Sequence, residues 1–161
     1  MSVPSTTLFA VFVGLPAVSE HWRLCRDGND DARAIFDRHY SRYVYADGRR
    51  PKLFVGPGEK MVLVTEDADA LFVWRKFIDA SGNKGVNCAI FRNEGPVLSS
   101  DLIREADALA WARWPGERLY TYVNPRAVRG DGACFKHAGW RRCGRTAKRR
   151  LVVLEHLPAN K

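Results

Sequence analysis

The chain has 161 residues, of which 46% are hydrophobic and 27% are charged, and its formal net charge is +8. This length and composition predict one ordinary domain with its own core, spanning residues 1–161, and exclude a transmembrane protein, which needs a run of roughly 18 apolar residues. The excess of Lys and Arg favours a polyanionic partner such as nucleic acid, although solubility alone also explains it.

The first feature in chain order is an apolar run over residues 8–18, which Gly14 and Pro16 interrupt. No basic residue precedes it, so the pattern is not that of a signal peptide, and a strand or packing arm within residues 1–20 is predicted instead. The four cysteines are spread without a framework spacing, which favours a reducing cytoplasm. The sequence does not fix the oligomeric state, and a homodimer is left open.

Strand and helix patterns alternate through the next part of the chain. Residues 21–26 predict a short strand, and residues 28–31 predict a turn with a capping aspartate that starts a helix over residues 32–40. A basic loop rich in tyrosine follows at residues 41–52.

Apolar, β-branched and aromatic residues then dominate three predicted strands. Residues 61–65 and 70–77 are joined by a short acidic turn and predict an antiparallel hairpin. Residues 86–91 predict a buried central strand.

A crossover helix and a further strand follow the central strand. Residues 101–114 predict an amphipathic helix that begins behind Ser99 or Ser100 as its cap and stops before Pro115. Residues 118–123 predict the next strand. The remaining predicted elements are a short helix before Trp140 and a closing pair of strands over residues 141–145 and 151–156.

This order of elements predicts an α/β fold of the α+β kind, with a mixed, mostly antiparallel central sheet flanked by helices. It resembles the GNAT acyltransferase superfamily over most of the chain from about residue 21. The resemblance implies an acyl-CoA donor, such as acetyl-CoA, whose pyrophosphate lies on a loop with the pattern Arg or Gln, two residues, Gly, one residue, Gly or Ala. Arg92 and Gly95 match the first two positions of that pattern, and Val97 departs from the third.

The segment that follows the central strand is therefore the predicted donor site. Backbone N–H groups at a helix N-terminus bind phosphate, and serine caps would share the same donors. We expect the turn around Gly95 to point its amides into an open notch between two diverging strands. The predicted cofactor-binding residues are Phe91, Arg92, Asn93, Gly95, Ser99 and Ser100.

Residues 133–140 resemble a late motif of the same superfamily, in which a tyrosine on a short helix precedes the next strand. That tyrosine commonly protonates the leaving thiolate of coenzyme A. Phe135 stands at its place here, and a phenyl ring has no proton to give. The acid would have to be Cys134, a tyrosine such as Tyr122, or bulk water.

Two short patterns resemble the phage Mom proteins of this superfamily, which modify the exocyclic amine of adenine in phage DNA. His39-Tyr40-Ser41 matches their His-Tyr pair after the first helix. Residues 121–125 stand where those proteins have Ser, two residues, Asp, Pro, and end in Asn124-Pro125 instead. The resemblance implies DNA as the acceptor and the cytoplasm of a phage host as the location.

Three residues are predicted to act on the acceptor, and each has a simpler interpretation. His39 is the best general base, because the ordinary pKa of histidine lies near working pH, but a histidine at a helix end is also a partner for the helix dipole. Tyr40 would orient the acceptor or pack against the core. Asn124 would orient the acceptor or cap the turn before Pro125.

Basic residues cluster in the loop after the first helix, in the loop after residue 123 and in the closing pair of strands. We expect these clusters to flank the same strand ends, where they would hold a nucleic-acid backbone beside an extruded base, with some charge left for the donor's 3′-phosphate. No metal site is predicted, since Cys134, His137 and Cys143 lack a paired spacing and a fourth ligand. The predicted nucleic-acid-binding residues are Arg42, Arg49, Arg50, Arg126, Arg129 and Arg142.

The sequence thus predicts a GNAT-like N-acyltransferase of phage type, which transfers an acyl or related group from an acyl-CoA to an amine on DNA. An ordinary acetyltransferase acting on a small amine or a protein is the first alternative. The second is a module that keeps the fold, has lost its acid, and only binds nucleic acid or protein.

Overall fold

The computed structural model describes residues 15–39, 46–48, 51–80 and 82–159, and the side chain of Arg129 lies outside that description. Most of the apolar run at residues 8–18 therefore lies outside the described residues. The same holds for four of the predicted site residues, which are Tyr40, Arg42, Arg49 and Arg50.

Within the described ranges the chain forms seven β-strands, three α-helices and one short 3-10 helix. The predicted strands and helices between residues 21 and 156 are confirmed, with ends that shift by a few residues. In the part of the chain that the structure describes, no helix has the length and apolar character to cross a membrane. In chain order the elements are β1 (Trp22–Cys25), α1 (Asp30–Asp37), β2 (Glu59–Thr65), β3 (Ala70–Lys76), β4 (Val86–Asn93), α2 (Ser99–Arg113), β5 (Leu119–Val123), the 3-10 helix (Arg129–Asp131), α3 (Ala133–His137), β6 (Arg141–Arg145) and β7 (Val152–His156).

The seven strands form one sheet in the order β1-β2-β3-β4-β5-β7-β6. Neighbouring strands are antiparallel except for β4 and β5, which run parallel and are connected through the crossover helix α2. The predicted α/β fold with a mixed, mostly antiparallel central sheet is therefore confirmed, and β4 is the middle strand of that sheet.

One face of the sheet packs against α2. Phe72 and Trp74 of β3 lie in a buried cluster with Leu102 and Ala106 of the helix. The indole N–H of Trp74 donates to the Ala106 carbonyl at 2.9 Å, and that of Trp22 donates to the Leu102 carbonyl at 2.9 Å. A buried indole needs such a partner, so these two bonds fix the helix against the strands as well as filling the core.

The opposite face packs against α1. Ala32 and Ile35 of the helix are fully buried against Val62, Val64 and Val73 of β2 and β3. These residues alternate along the strands with those that face α2, as expected for a sheet buried on both sides. The end of α1 thereby lies next to β4 and brings residue 39 to the middle of the sheet.

Two predicted helix caps are wrong. α1 is capped by Asn29, whose side-chain oxygen accepts a hydrogen bond from the Ala32 amide at 3.1 Å, and not by an aspartate. α2 begins after Leu98, with no side-chain cap among the described residues. Ser99 and Ser100 already have helical geometry, so they lie inside the first turn, where a side chain cannot act as the cap.

Candidate functional site

β4 and β5 separate part-way along their length and leave a notch in the middle of the sheet. They pair from Val86 with Leu119 as far as Cys88 with Thr121. At the fork the Thr121 hydroxyl donates to the Cys88 carbonyl at 2.9 Å. Beyond this bond β4 continues along β3 and β5 continues along β7, so the predicted notch between diverging strands is confirmed.

The notch contains a cavity of about 320 Å³. Its lining includes His39 at the end of α1, Phe91 of β4 and Asn124 after β5, which are three of the predicted site residues. Cys88 and Ile90 also line it, and these two belong to the cores on opposite faces of the sheet. Residues from both faces of the sheet therefore bound the cavity.

His39 is buried in this cavity, with 7% of its surface exposed. Its ring is hydrogen-bonded to the backbone of Phe91, and burial, together with the positive charge of Arg92, lowers the pKa of His39 to about 4. The imidazole is therefore neutral at pH 7, so it gains little from the helix dipole. A base of this pKa accepts a proton only from a strongly acidic group.

Arg92, the first residue of the predicted phosphate loop, is engaged by a carboxylate. Its Nε donates to Glu94 Oε2 at 2.6 Å, and Arg38 donates to both oxygens of the same carboxylate at 2.7 Å. The bonds from Arg38 and then Arg92 lower the pKa of Glu94 to about 2. One of the two guanidinium charges is thus neutralised before any anion arrives.

The turn around Gly95 is closed by its own side chains. The Gly95 amide donates to Asn93 Oδ1 at 3.0 Å, and Asn93 Nδ2 donates to the Val97 carbonyl at 2.7 Å and to the Ser99 hydroxyl at 2.9 Å. The prediction that this amide points into the notch is therefore wrong, because a side chain two residues earlier takes it. A methyl group at Gly95 would overlap the carboxylate of Asp69, which explains the glycine by close approach.

Asn124 caps the turn that follows β5. Its Oδ1 accepts a hydrogen bond from the Arg126 amide at 3.0 Å, and its carbonyl accepts from the amides of Ala127 and Val128. The capping interpretation is confirmed. Because the residue also lines the cavity, its Nδ2 is the group left to orient an acceptor, and that role stays a prediction.

Phe135 packs in the core at the place where the resemblance implies a tyrosine. Its ring lies edge-on against Phe91 and Trp140, with centroid distances of 5.8 and 4.9 Å. Of the other predicted acids, Tyr122 donates to Asp79 at 2.5 Å and so has its proton in use. Cys134 lines the cavity, and burial raises the pKa of its thiol, so Cys134 is protonated at neutral pH.

Asn87 is a cavity residue that the sequence analysis missed. It lies on β4 beside the fork with 7% of its surface exposed. Within the described chain its buried Oδ1 has no hydrogen-bond partner. A buried acceptor without a partner costs free energy, and a water molecule or a ligand that donates a hydrogen bond there would remove that cost. A polar residue inside a predicted buried strand was the available signal.

Positive charge is unevenly distributed between the two sides of the notch. Residues 119–161 contain ten Lys and Arg and two Asp and Glu, whereas residues 1–118 contain sixteen of each. The whole net charge of +8 therefore resides in residues 119–161, which include β5, β6 and β7. Arg126 and Arg142, two of the predicted nucleic-acid-binding residues, are exposed in this part of the structure.

Comparison with models of known protein families, with curated proteins and with solved structures finds no match for this chain. Among the residues that the structure describes, no three histidine, cysteine or acidic side chains are placed to hold a metal ion. The function is therefore argued from the notch and the groups that line it.

Proposed function

We propose that the protein transfers an acyl or related group from an acyl-CoA to an amine on a base of DNA. The observation that carries this proposal is the cavity where β4 and β5 diverge. Because the cavity is bounded by both faces of the sheet, a thioester entering from one face and an amine entering from the other would meet inside it. Such positioning of two reactants supplies a large part of the rate enhancement of a transfer enzyme.

The residues around the notch fit the two ends of the donor differently. The cavity suits the narrow pantetheine arm that ends in the thioester, and an amide N–H of that arm would donate to the unsatisfied Oδ1 of Asn87. The turn around Gly95 does not offer its amide to the phosphates. The amides of Ser99 and Ser100, which no side chain caps within the described residues, are the donors that would hold them, with Arg92 alongside.

Two cavity residues can move the protons of the transfer. Acyl-CoA held in the notch would supply the acyl group, and the new carbon–nitrogen bond would replace its carbon–sulfur bond. The neutral ring of His39 accepts the proton that the nitrogen loses. The protonated thiol of Cys134 gives a proton to the departing sulfur and regains one from solvent, which replaces the acid that Phe135 cannot supply.

The low pKa of His39 favours an aromatic amine as the acceptor. A nitrogen that has given its lone pair to a new bond is far more acidic on an aromatic ring than on an alkyl chain. A base with a pKa of about 4 can deprotonate the first but only poorly the second. An exocyclic amine of a nucleobase meets this requirement, whereas a lysine side chain or an alkyl polyamine does not.

The donor half of the proposal is tested by thermal unfolding with acetyl-CoA. At a hundredfold excess over the dissociation constant, the expected stabilisation is about 2.7 kcal/mol, or roughly 5–10 °C in Tm. Ala89→Leu fills the cavity and should abolish the shift, whereas Ala112→Leu, the same change on the exposed side of α2, should preserve it. A wild-type Tm that does not respond to millimolar acetyl-CoA contradicts the donor assignment.

The acceptor half is tested by mass analysis of nucleosides from DNA of cells that produce the protein. The wild type should yield a base of increased mass, and His39→Ala should yield much less of it, because among the described residues that line the cavity His39 is the one histidine and none is a carboxylate. Equal Tm values for the two proteins exclude a folding artefact. An unmodified nucleoside profile with the wild type overturns the proposal.

A second candidate function is a binding module without catalysis. It is favoured by the closed turn around Gly95 and by the buried phenyl ring of Phe135. In that case oligonucleotides should bind while acetyl-CoA changes neither Tm nor nucleoside mass.

A further inference from the structure

A second, larger cavity lies beside the notch, as a groove of about 890 Å³. One wall is formed by Ala80 and Asn83, and the other by the segment that joins β6 to β7. Val153 and Glu155 line its floor and alternate along β7 with core residues that face α2. The groove therefore lies on the opposite face of the sheet, on which α1 packs against β2, β3 and β4.

The groove and the notch are continuous. Tyr122, Arg149 and Leu151 line both cavities. Tyr122 follows the fork on β5, so a molecule that lies in the groove passes the opening of the notch on the side of α1.

The lining of the groove is strongly cationic. Arg118, Arg145, Lys148 and Arg149 contribute to it, against one carboxylate, Glu155. Glu155 is already bound by Arg118 at 2.6 Å and by Arg141 at 2.8 Å. It therefore does not neutralise the other three cations.

Arg145, Lys148 and Arg149 are exposed and have no ion-pair partner among the described residues. Unpaired cations that face one concave surface attract a chain of phosphates, and they release its counterions on binding. A single strand can enter such a groove, whereas the convex surface of a duplex meets only its rim. Sites for single strands combine a cationic groove with aromatic side chains, and Tyr122 lies where this groove meets the notch.

We propose that this groove binds the phosphate backbone of single-stranded nucleic acid through Arg145, Lys148 and Arg149, so that one base of the strand reaches the notch. The role of the groove as an acceptor site rests on the proposed function. Binding of the strand does not, since it needs neither an acyl donor nor His39.

The test is fluorescence anisotropy of a labelled 12-nucleotide oligothymidine across a series of salt concentrations, without acetyl-CoA. Arg145→Ser/Arg149→Ser removes two phosphate contacts, so the slope of log K against log salt should fall by about 1.4 and the affinity at 0.1 M salt by about 20-fold. Arg26→Ser/Lys52→Ser removes the same charge near the opposite edge of the sheet and should leave slope and affinity near the wild-type values. Arg149→Lys should retain most of the binding, and equal Tm values should show that all variants fold.

Three outcomes overturn the assignment. The first is an equal loss of affinity in the two double variants, which would mean that only net charge matters. The second is a 12-base-pair duplex that binds more tightly than the single strand and depends on the same arginines. The third concerns CoA and dephospho-CoA, which differ in the 3′-phosphate. If Arg145→Ser/Arg149→Ser binds both with equal affinity, unlike the wild type, and still binds oligothymidine normally, the groove holds the 3′-phosphate instead.

Failure of the proposed function gives a different result. If acetyl-CoA does not change the Tm of the wild type but oligothymidine binds through the groove, the proposed acyl transfer is wrong and the single-strand site stands.

Discussion

Arginine side chains have different ion-pair partners on the two sides of the notch. On the β4 side, Arg38 and Arg92 both bind the carboxylate of Glu94. On the side of β5, β7 and β6, Arg145 and Arg149 are exposed without an ion pair among the described residues. On that second side the carboxylate of Glu155 pairs with Arg118 and Arg141, and Arg145 and Arg149 are left over.

This difference in ion pairing indicates on which side of the notch an anion will bind first. A guanidinium already paired with a carboxylate must exchange one anion for another, whereas an unpaired one exchanges only water and counterions. We therefore expect the β4 side, where the resemblance predicts the phosphate site, to bind anions more weakly than the other side. The other side, where the basic clusters were predicted to bind nucleic acid, holds the surplus charge.

The largest expected effect on the β4 side concerns the dependence of stability on pH. Between pH 6.5 and 4 the unfolded chain protonates His39 while the folded chain does not, so the free energy of unfolding falls as the pH falls through this window. The full effect is about 3 kcal/mol. His39→Gln should lose this part of the dependence, as measured by urea unfolding at pH 7 and pH 4.5. Parallel pH profiles for the two proteins would contradict the burial of a neutral imidazole.

Gly95→Ala should destabilise the closed turn by about 2 kcal/mol, because the added methyl group overlaps the Asp69 carboxylate. The cost should be smaller when it is measured in an Asp69→Ala background, where the overlap is gone. Urea unfolding of the four proteins in this cycle gives both values. An equal cost in the two backgrounds would show that the glycine is required for another reason.

Asn87→Leu is expected to stabilise the protein by about 1 kcal/mol, because it replaces a buried acceptor that has no partner with an apolar side chain of similar size. The same change should remove the stabilisation by acetyl-CoA. Urea and thermal unfolding measure the two effects. A destabilisation larger than 1 kcal/mol would mean that the Asn87 amide has a structural role.

Glu94→Gln makes the β4 side resemble the other side. Ion pairs this exposed contribute little, so the free energy of unfolding should fall by about 1 kcal/mol or less. The affinity for acetyl-CoA, measured by calorimetry, should rise several-fold because Arg38 and Arg92 are released. Glu66→Gln, which breaks the exposed pair with Arg23 far from the notch, is the matched control. An unchanged affinity would exclude both arginines from the donor site.

Most of the fold could be predicted because it follows from local patterns. The alternation along residues 61–65 and 70–77 and the helical period of residues 101–114 are properties of neighbouring side chains, and both elements formed as predicted. The uneven charge was equally visible, since it needs only counting. The strands and the helix depend on interactions between residues that are close in the sequence, and the net charge depends on composition alone.

The incorrect predictions about the site share a physical cause. In each case the behaviour of a group depends on residues that lie outside the local sequence pattern used to predict it. The Gly95 amide is taken by Asn93, and Asp69 approaches the turn from the β2–β3 connection. The lowered pKa of His39 depends on burial against β4, which no local pattern reveals. Asn87 escaped notice because its missing partner becomes apparent only when the strands on either side are in place.

The parallel pairing of β4 and β5 has a consequence for how the protein matures. Val86 pairs with Leu119, so the fork closes only after the intervening helix has docked, and contacts of such long sequence separation form slowly. The β2–β3 hairpin needs no such step and can assemble early. A nascent or partly denatured chain would thus hold its first strands correctly while having no pocket at all, and ligands that enter the fork would select the fully matured molecule.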